Sequence, residues 1–137
     1  MRRIVAIAVA FVLSQGLPAA VITQRTTVDA VSVAVTAGNL SAEASVWDFA
    51  VVLHDARGRN LGDDLLQSAV LIDQRGRRYK PLIWEGAPAA GDHRGGVLKF
   101  IAIEPRPDSI ELRINRPGEK KARSFSWLLG SALLARV

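Results

Sequence analysis

The chain has 137 residues, 49% hydrophobic and 23% charged, a balance that suits one globular domain and excludes wholesale disorder. It has no cysteine, which removes disulfides, thiolate zinc, Fe–S clusters, blue copper and thiol catalysis from consideration. The net charge of +5 comes from 18 Lys and Arg against 13 Asp and Glu, interspersed along the chain rather than gathered in a polybasic tail.

Residues 1–20 read MRRIVAIAVAFVLSQGLPAA. Arg2 and Arg3 precede an apolar run over 4–13, about half the length a membrane-crossing helix needs. Ser14, Gln15, Gly16 and Pro18 break the run, and Ala19 and Ala20 supply small residues for a cut. This is the order of a secretory signal peptide. The expectation is a periplasmic or secreted protein cut after Ala19 or Ala20, with no membrane span left after cleavage; an uncleaved N-terminal anchor is the alternative. The cut takes two of the 18 basic residues and no acid, so 16 bases face 13 acids, a net +3. Residues 21–137 then form a single β-sandwich domain. Without disulfides it relies on its core, and about 117 residues can bury roughly two-thirds of their unfolded surface.

Gly, Pro, Asn and Asp clusters punctuate the rest, with short alternating stretches between them and no sustained 3.6-residue period. The first strand is expected over 28–36, with Val31, Val33 and Val35 on one face, followed by a turn at Ala37, Gly38 and Asn39. The second, over 46–54, sets Trp47, Phe49, Val51 and Leu53 against Asp48, Ala50, Val52 and His54, four large residues at period two. A polar loop follows, with one helical turn over 63–67. Strands over 68–73 and 78–84 flank Gln74-Arg75-Gly76-Arg77, which reads as a hairpin, and Pro81 puts the second of them at an edge or a bulge. Residues 85–96, EGAPAAGDHRGG, hold four glycines and one proline and read as a long loop. Strands over 97–103, 109–115 and 123–129 complete the set, separated by a proline turn over 104–108 and a charged turn over 116–122. Seven short strands point to an all-β, immunoglobulin-like antiparallel β-sandwich, with a small open barrel as the alternative. If every connection reverses the chain, the loops 55–67, 85–96 and 116–122 share one end, and His54 and His93, the only two histidines, share it with them.

Three constellations stand out. His54, Asp92 and His93, with Asp55 or Glu85 as a further ligand, have the chemistry of a Zn²⁺ or Cu²⁺ site; two unrelated surface histidines are the plainer reading. The 84–96 loop carries Trp84, Glu85, Asp92, His93 and Arg94 and reads as a contact surface, Trp and Arg being favoured anchors; alternatively Trp84 packs as core or edge cover. Arg75, Arg77, Arg78 and Lys80 make a basic hairpin. Tyr79 is the lone aromatic there, and export argues against nucleic acid as a partner, so a solvated hairpin tip is the reading. No G-x-S-x-G elbow, phosphate loop or dinucleotide fingerprint is present, so no catalytic residue is assigned and the chain is read as a non-enzyme.

The stretches SVWDFAVVL followed by Asp63-Asp64-Leu65, YKPLIWEGAP through HRGGVLKF, and SIEL over 109–112 resemble a family of small exported bacterial β-sandwich domains of uncharacterised function. The W-E-G-x-P loop ending in H-R is the most specific part, and the likeness spans roughly 31–127. It implies an exported β-sandwich and no particular activity. In that pattern two adjacent histidines precede the arginine and another follows the second strand. Here Asp92 stands for the first of the pair and His54 comes a few positions early, which implies an altered site if the family binds metal. The combined expectation is a binding or accessory module for another exported or envelope protein, with a divalent-metal carrier using His54 and His93 as the rival.

Overall fold

A computed structural model of the chain describes residues 23–58, 61–87 and 91–129. The expected signal segment and residues 130–137 lie outside the described residues. Nine strands and one short helix are described: β1 (Thr23–Val28), β2 (Val31–Ala37), β3 (Val46–Asp55), α1 (Leu65–Ser68), β4 (Ala69–Asp73), β5 (Arg78–Tyr79), β6 (Ile83–Gly86), β7 (His93–Ile101), β8 (Ser109–Ile114) and β9 (Arg123–Leu128). They form two antiparallel sheets, a five-stranded one in the order β1-β2-β3-β7-β6 and a four-stranded one in the order β5-β4-β8-β9. Among the described residues no helix is long and apolar enough to cross a membrane.

The alternation along β3 fixes the layers. Trp47, Phe49, Val51 and Leu53 are 0–1% exposed, while Ala50, Val52 and His54 face outward. They share one core with Ile110, Leu112 and Ile114 of β8, Phe125 and Trp127 of β9 and Leu71 of β4. Phe49 joins the sheets: its ring meets Phe100 edge-on at 5.7 Å and Trp127 of the facing sheet at 5.1 Å.

Three elements differ from the sequence reading. The expected strand over 78–84 divides at Pro81. Tyr79 ends an edge strand of one sheet, and after Lys80-Pro81-Leu82 the chain starts an edge strand of the other, so one proline separates two edges. The stretch 85–96, read as a loop, is instead mostly a hairpin: β6 runs to Gly86 and β7 starts at His93, leaving only 87–92 as the connection. The strand β1 also adds to the expected set, joined to β2 by a two-residue turn with Asp29 at φ 51° and Ala30 at φ 68°.

The open side of the sandwich is closed by side chains. The Gln24 amide donates to the Ser126 carbonyl at 2.6 Å and accepts from the Ser126 N–H at 3.0 Å, completing the edge of β9 as a strand would. Arg123 donates to the Thr26 carbonyl at 3.2 Å and its hydroxyl at 3.0 Å. On the opposite side the chain itself passes between the sheets at residues 80–82.

Candidate functional site

All strand pairs being antiparallel, the β1–β2 turn, the segment after β3, the β6–β7 connection and the β8–β9 turn gather at one end. His54 and His93 are cross-strand partners on β3 and β7. The Asp55 N–H donates to the Asp92 carbonyl at 2.7 Å, so 55/92 is a hydrogen-bonded pair and 54/93 is the closer, non-hydrogen-bonded kind. Both rings leave the outer face of the five-stranded sheet, and Asp92 stands between them. Its Oδ2 lies 3.2 Å from His54 Nε2 and its Oδ1 3.2 Å from His93 Nδ1. The three side chains are about half exposed, and the His93 ring, followed by the His54 ring, holds the Asp92 carboxyl below its ordinary range. The structure thus brings together the three residues singled out from the sequence.

The two supplementary acids stand elsewhere. Asp55 is buried on the inner face of β3, where its carboxylate accepts from the Arg57 N–H at 2.8 Å. Glu85 lies across from Val97 and pairs with Lys99 at 3.0 Å. Among the described residues no group of three or more His, Asp and Glu side chains forms a set that could hold a metal ion in this conformation.

Trp84 and Arg94 face inward. Gly86 and Gly96 oppose each other across β6 and β7, and the Trp84 indole lies over them. A Cβ at Gly96 would sit 2.5 Å from Gly86 Cα and 2.7 Å from the Glu85 carbonyl oxygen, both backbone atoms that cannot step aside. The glycines therefore make room for the indole. The Arg94 guanidinium stacks 5.6 Å from the Trp84 ring centroid and donates to the carbonyls of Leu61 at 3.0 Å and Asp63 at 2.5 Å. These two residues pin the segment before α1 to the sheet. Gly95 is different: a Cβ there would meet only Val52 at 3.7 Å and the Val51 carbonyl at 3.8 Å. Gly96→Val is expected to cost about 1–3 kcal/mol of stability through overpacking, and Gly95→Val to be neutral or stabilising. Paired urea denaturation curves check the contrast.

A buried ionic chain braces the same end. The Asp63 carboxylate, 3% exposed, accepts from Arg116 Nε at 2.7 Å and Nη2 at 3.0 Å. Glu119 receives Arg116 Nη1 at 3.3 Å and Arg123 through Nε at 2.8 Å and Nη2 at 2.7 Å. The charged turn expected over 116–122 is thus anchored from beneath rather than solvated throughout. Its only sequence signal is the Arg–Glu–Arg spacing of three and four residues; Asp63 lies 53 positions away. Asp64 caps α1, its carboxylate accepting from the Gln67 N–H at 3.3 Å. Beside the turn opens a cleft of about 600 Å³, with Val28 and Val31 among its walls and Lys120 and Lys121 on its lip.

Compared with known protein families, curated proteins and solved structures, the chain matches none.

The Arg123 guanidinium, followed by Arg116, holds the Glu119 carboxyl below its ordinary value of 4.5. A carboxyl depressed in the folded state contributes stability that is complete above the unfolded-chain value and disappears as pH falls through the folded one. Stability should therefore decline as the pH drops below about 4.5. Urea titrations should show a shallower acid decline in Glu119→Gln than in the parent.

The basic hairpin stands apart from this end. Its tip is shaped by Asp73, whose carboxylate accepts from the N–H groups of Arg75 at 2.9 Å and Arg77 at 3.0 Å and from the Tyr79 hydroxyl at 3.0 Å. Gly76, at φ 84°, turns the chain, as the sequence led us to expect. The guanidinium-bearing residues themselves are exposed.

Proposed function

We propose that the chain is an exported, periplasmic or secreted, immunoglobulin-like β-sandwich that acts as a non-catalytic binding or accessory module. Its contact surface is the loop end around residues 84–96, and its partner is another exported or envelope protein rather than nucleic acid. One observation carries the reading: four connections converge at one end, where residues 61–63 and the β8–β9 turn are held by a buried ionic chain and by Arg94. Rigid loops that share an end of a sandwich are the usual way such a scaffold presents a binding surface. Within 84–96, Trp84 and Arg94 set the hairpin's shape, while Glu85, Asp92 and His93 face solvent and make the contact. The resemblance of the W-E-G-x-P…H-R stretch to small exported domains supports the cellular address. A photo-crosslinking side chain at Asp92 should give a discrete adduct in envelope fractions, and the same group at Arg113, on the far sheet, should give none. Equal labelling from both sites, or none from Asp92, contradicts the proposal.

A second reading is favoured by the cross-strand histidine pair. As a Zn²⁺ or Cu²⁺ carrier the chain would use His54, Asp92 and His93, with the rings turning to share one ion. Calorimetry is then expected to give micromolar or tighter binding, weakened about tenfold or more in His93→Ala. Flat traces with both ions end this reading without touching the first.

A further inference from the structure

The two outer faces of the sandwich differ. On the four-stranded sheet, Glu111 takes Arg113 at 2.9 Å and also receives the Ser124 hydroxyl, so charged side chains interlock across the surface. The outer face of the five-stranded sheet has an apolar middle. Ala34, Val52 and Gly95 stand in one row across β2, β3 and β7, and Ala50 and Val97 in the next. Val52 is 46% exposed, and Ile83 and Ile101, further along the same face, are 41% and 59% exposed. Nothing described covers them.

Gly95 carries the most information. Its backbone is not in the left-handed region, and a side chain there would make only ordinary contacts. The isolated fold therefore does not need glycine at 95, in contrast to Gly96. A glycine in a strand that the fold does not require marks a place where another surface comes close.

The geometry points to a second copy of this chain, packed sheet against sheet over Val52 with a two-fold axis roughly along the strands. Three observations select a copy over an unrelated partner. The middle of this face is balanced in charge, Arg25 and Lys99 against Asp48 and Glu85, with the Asp92 carboxylate at its loop end, in a chain of net charge +5, whereas the opposite sheet carries the basic hairpin. Two positively charged copies thus meet with least repulsion here. Arg25, on β1, and Glu85, on β6, stand at opposite margins, so the two-fold brings Arg25 of one copy beside Glu85 of the other, twice. The same axis sets Gly95 over the Ala34 position of the second copy, where the alanine is only 8% exposed and no side chain stands up to block the roughly 10 Å approach of packed sheets. Five strands about 4.8 Å apart and about 24 Å long give a footprint on the order of 550 Å² per copy. The total, roughly 1,100 Å², lies at the lower end of specific interfaces, so the dimer is reversible.

Sedimentation of the purified protein across a concentration series tests this. The expected result is a monomer–dimer equilibrium with Kd on the order of 10–100 µM. Val52→Arg and Gly95→Val should each abolish the dimer, with Gly95→Val keeping the parent's melting temperature or exceeding it. Arg25→Glu and Glu85→Arg should each weaken association, and the double exchange should restore it. A parent that stays monomeric throughout, or a dimer unchanged by Val52→Arg, overturns the inference. His54, Asp92 and His93 stand at the loop end of this same face, so the dimer is judged by sedimentation of the Val52 and Gly95 variants, and the loop-end contact by adducts to other envelope proteins.

Discussion

Phe49→Ala is expected to remove about 3–5 kcal/mol of folding stability, a large share of the roughly 5–15 kcal/mol typical of a domain. Phe49 is fully buried in the middle of the widest sheet and touches rings from both layers. Truncation loses the transfer energy of the ring and leaves a cavity bounded by Phe100 and Trp127, which are tied to different strands and cannot both move in. The urea midpoint should fall with little change in m-value, because the same surface is still exposed on unfolding. An effect below about 1 kcal/mol would mean that the two sheets do not meet over this residue.

Asp63→Ala is expected to cost about 3–5 kcal/mol, nearly as much from a residue that is not hydrophobic. It strands Arg116, 11% exposed, beneath the β8–β9 turn with one of its two carboxylate partners gone. The cost comes from the uncompensated charge rather than from any large net value of the pair. Asp63→Leu combined with Arg116→Met should therefore recover most of the loss, as a packed apolar pair often matches a buried ionic one. Amide exchange should localise the damage of the single variant to residues 61–64 and 115–122. The Glu111–Arg113 pair, half-buried on the outer face of β8 and far more open to solvent than Asp63, is the contrasting case: Glu111→Gln should change stability by less than about 1 kcal/mol.

The legible part of the fold is the part governed by period and by single punctuating residues. Alternation over 46–54 fixed which face of β3 is core, and so also put His54 on the outer face. Gly76 marked its hairpin, and Pro81 marked an edge, though it separates two strands in different sheets rather than bulging one. What stayed hidden follows from non-local chemistry. The strand β1 is TQRTTV, without an apolar stripe, and its turn is Asp29-Ala30, which lacks the glycine that advertises a tight hairpin. The 85–96 stretch reads as a loop because glycine is a strand breaker by propensity; here Gly86 and Gly96 are strand residues because the Trp84 ring occupies their side-chain space. That compensation depends on cross-strand register. For the candidate site, the sequence supplied His54, Asp92 and His93 and the shared end, but not Asp63 with Arg116 and Arg123, because a charge in a loop and a charge beneath one look alike in sequence.

The register that joins β3 to β7 underlies the site, and one nuclear Overhauser measurement tests it directly. In a non-hydrogen-bonded antiparallel pair the two α-protons face each other, so His54 and His93 should show a strong Hα–Hα cross-peak, with further ones for Val52–Gly95 and Ala50–Val97. Strong cross-peaks that pair His54 with any residue other than His93 would contradict the account, because a slip of even one residue would carry a histidine to the opposite face of the sheet and separate it from Asp92.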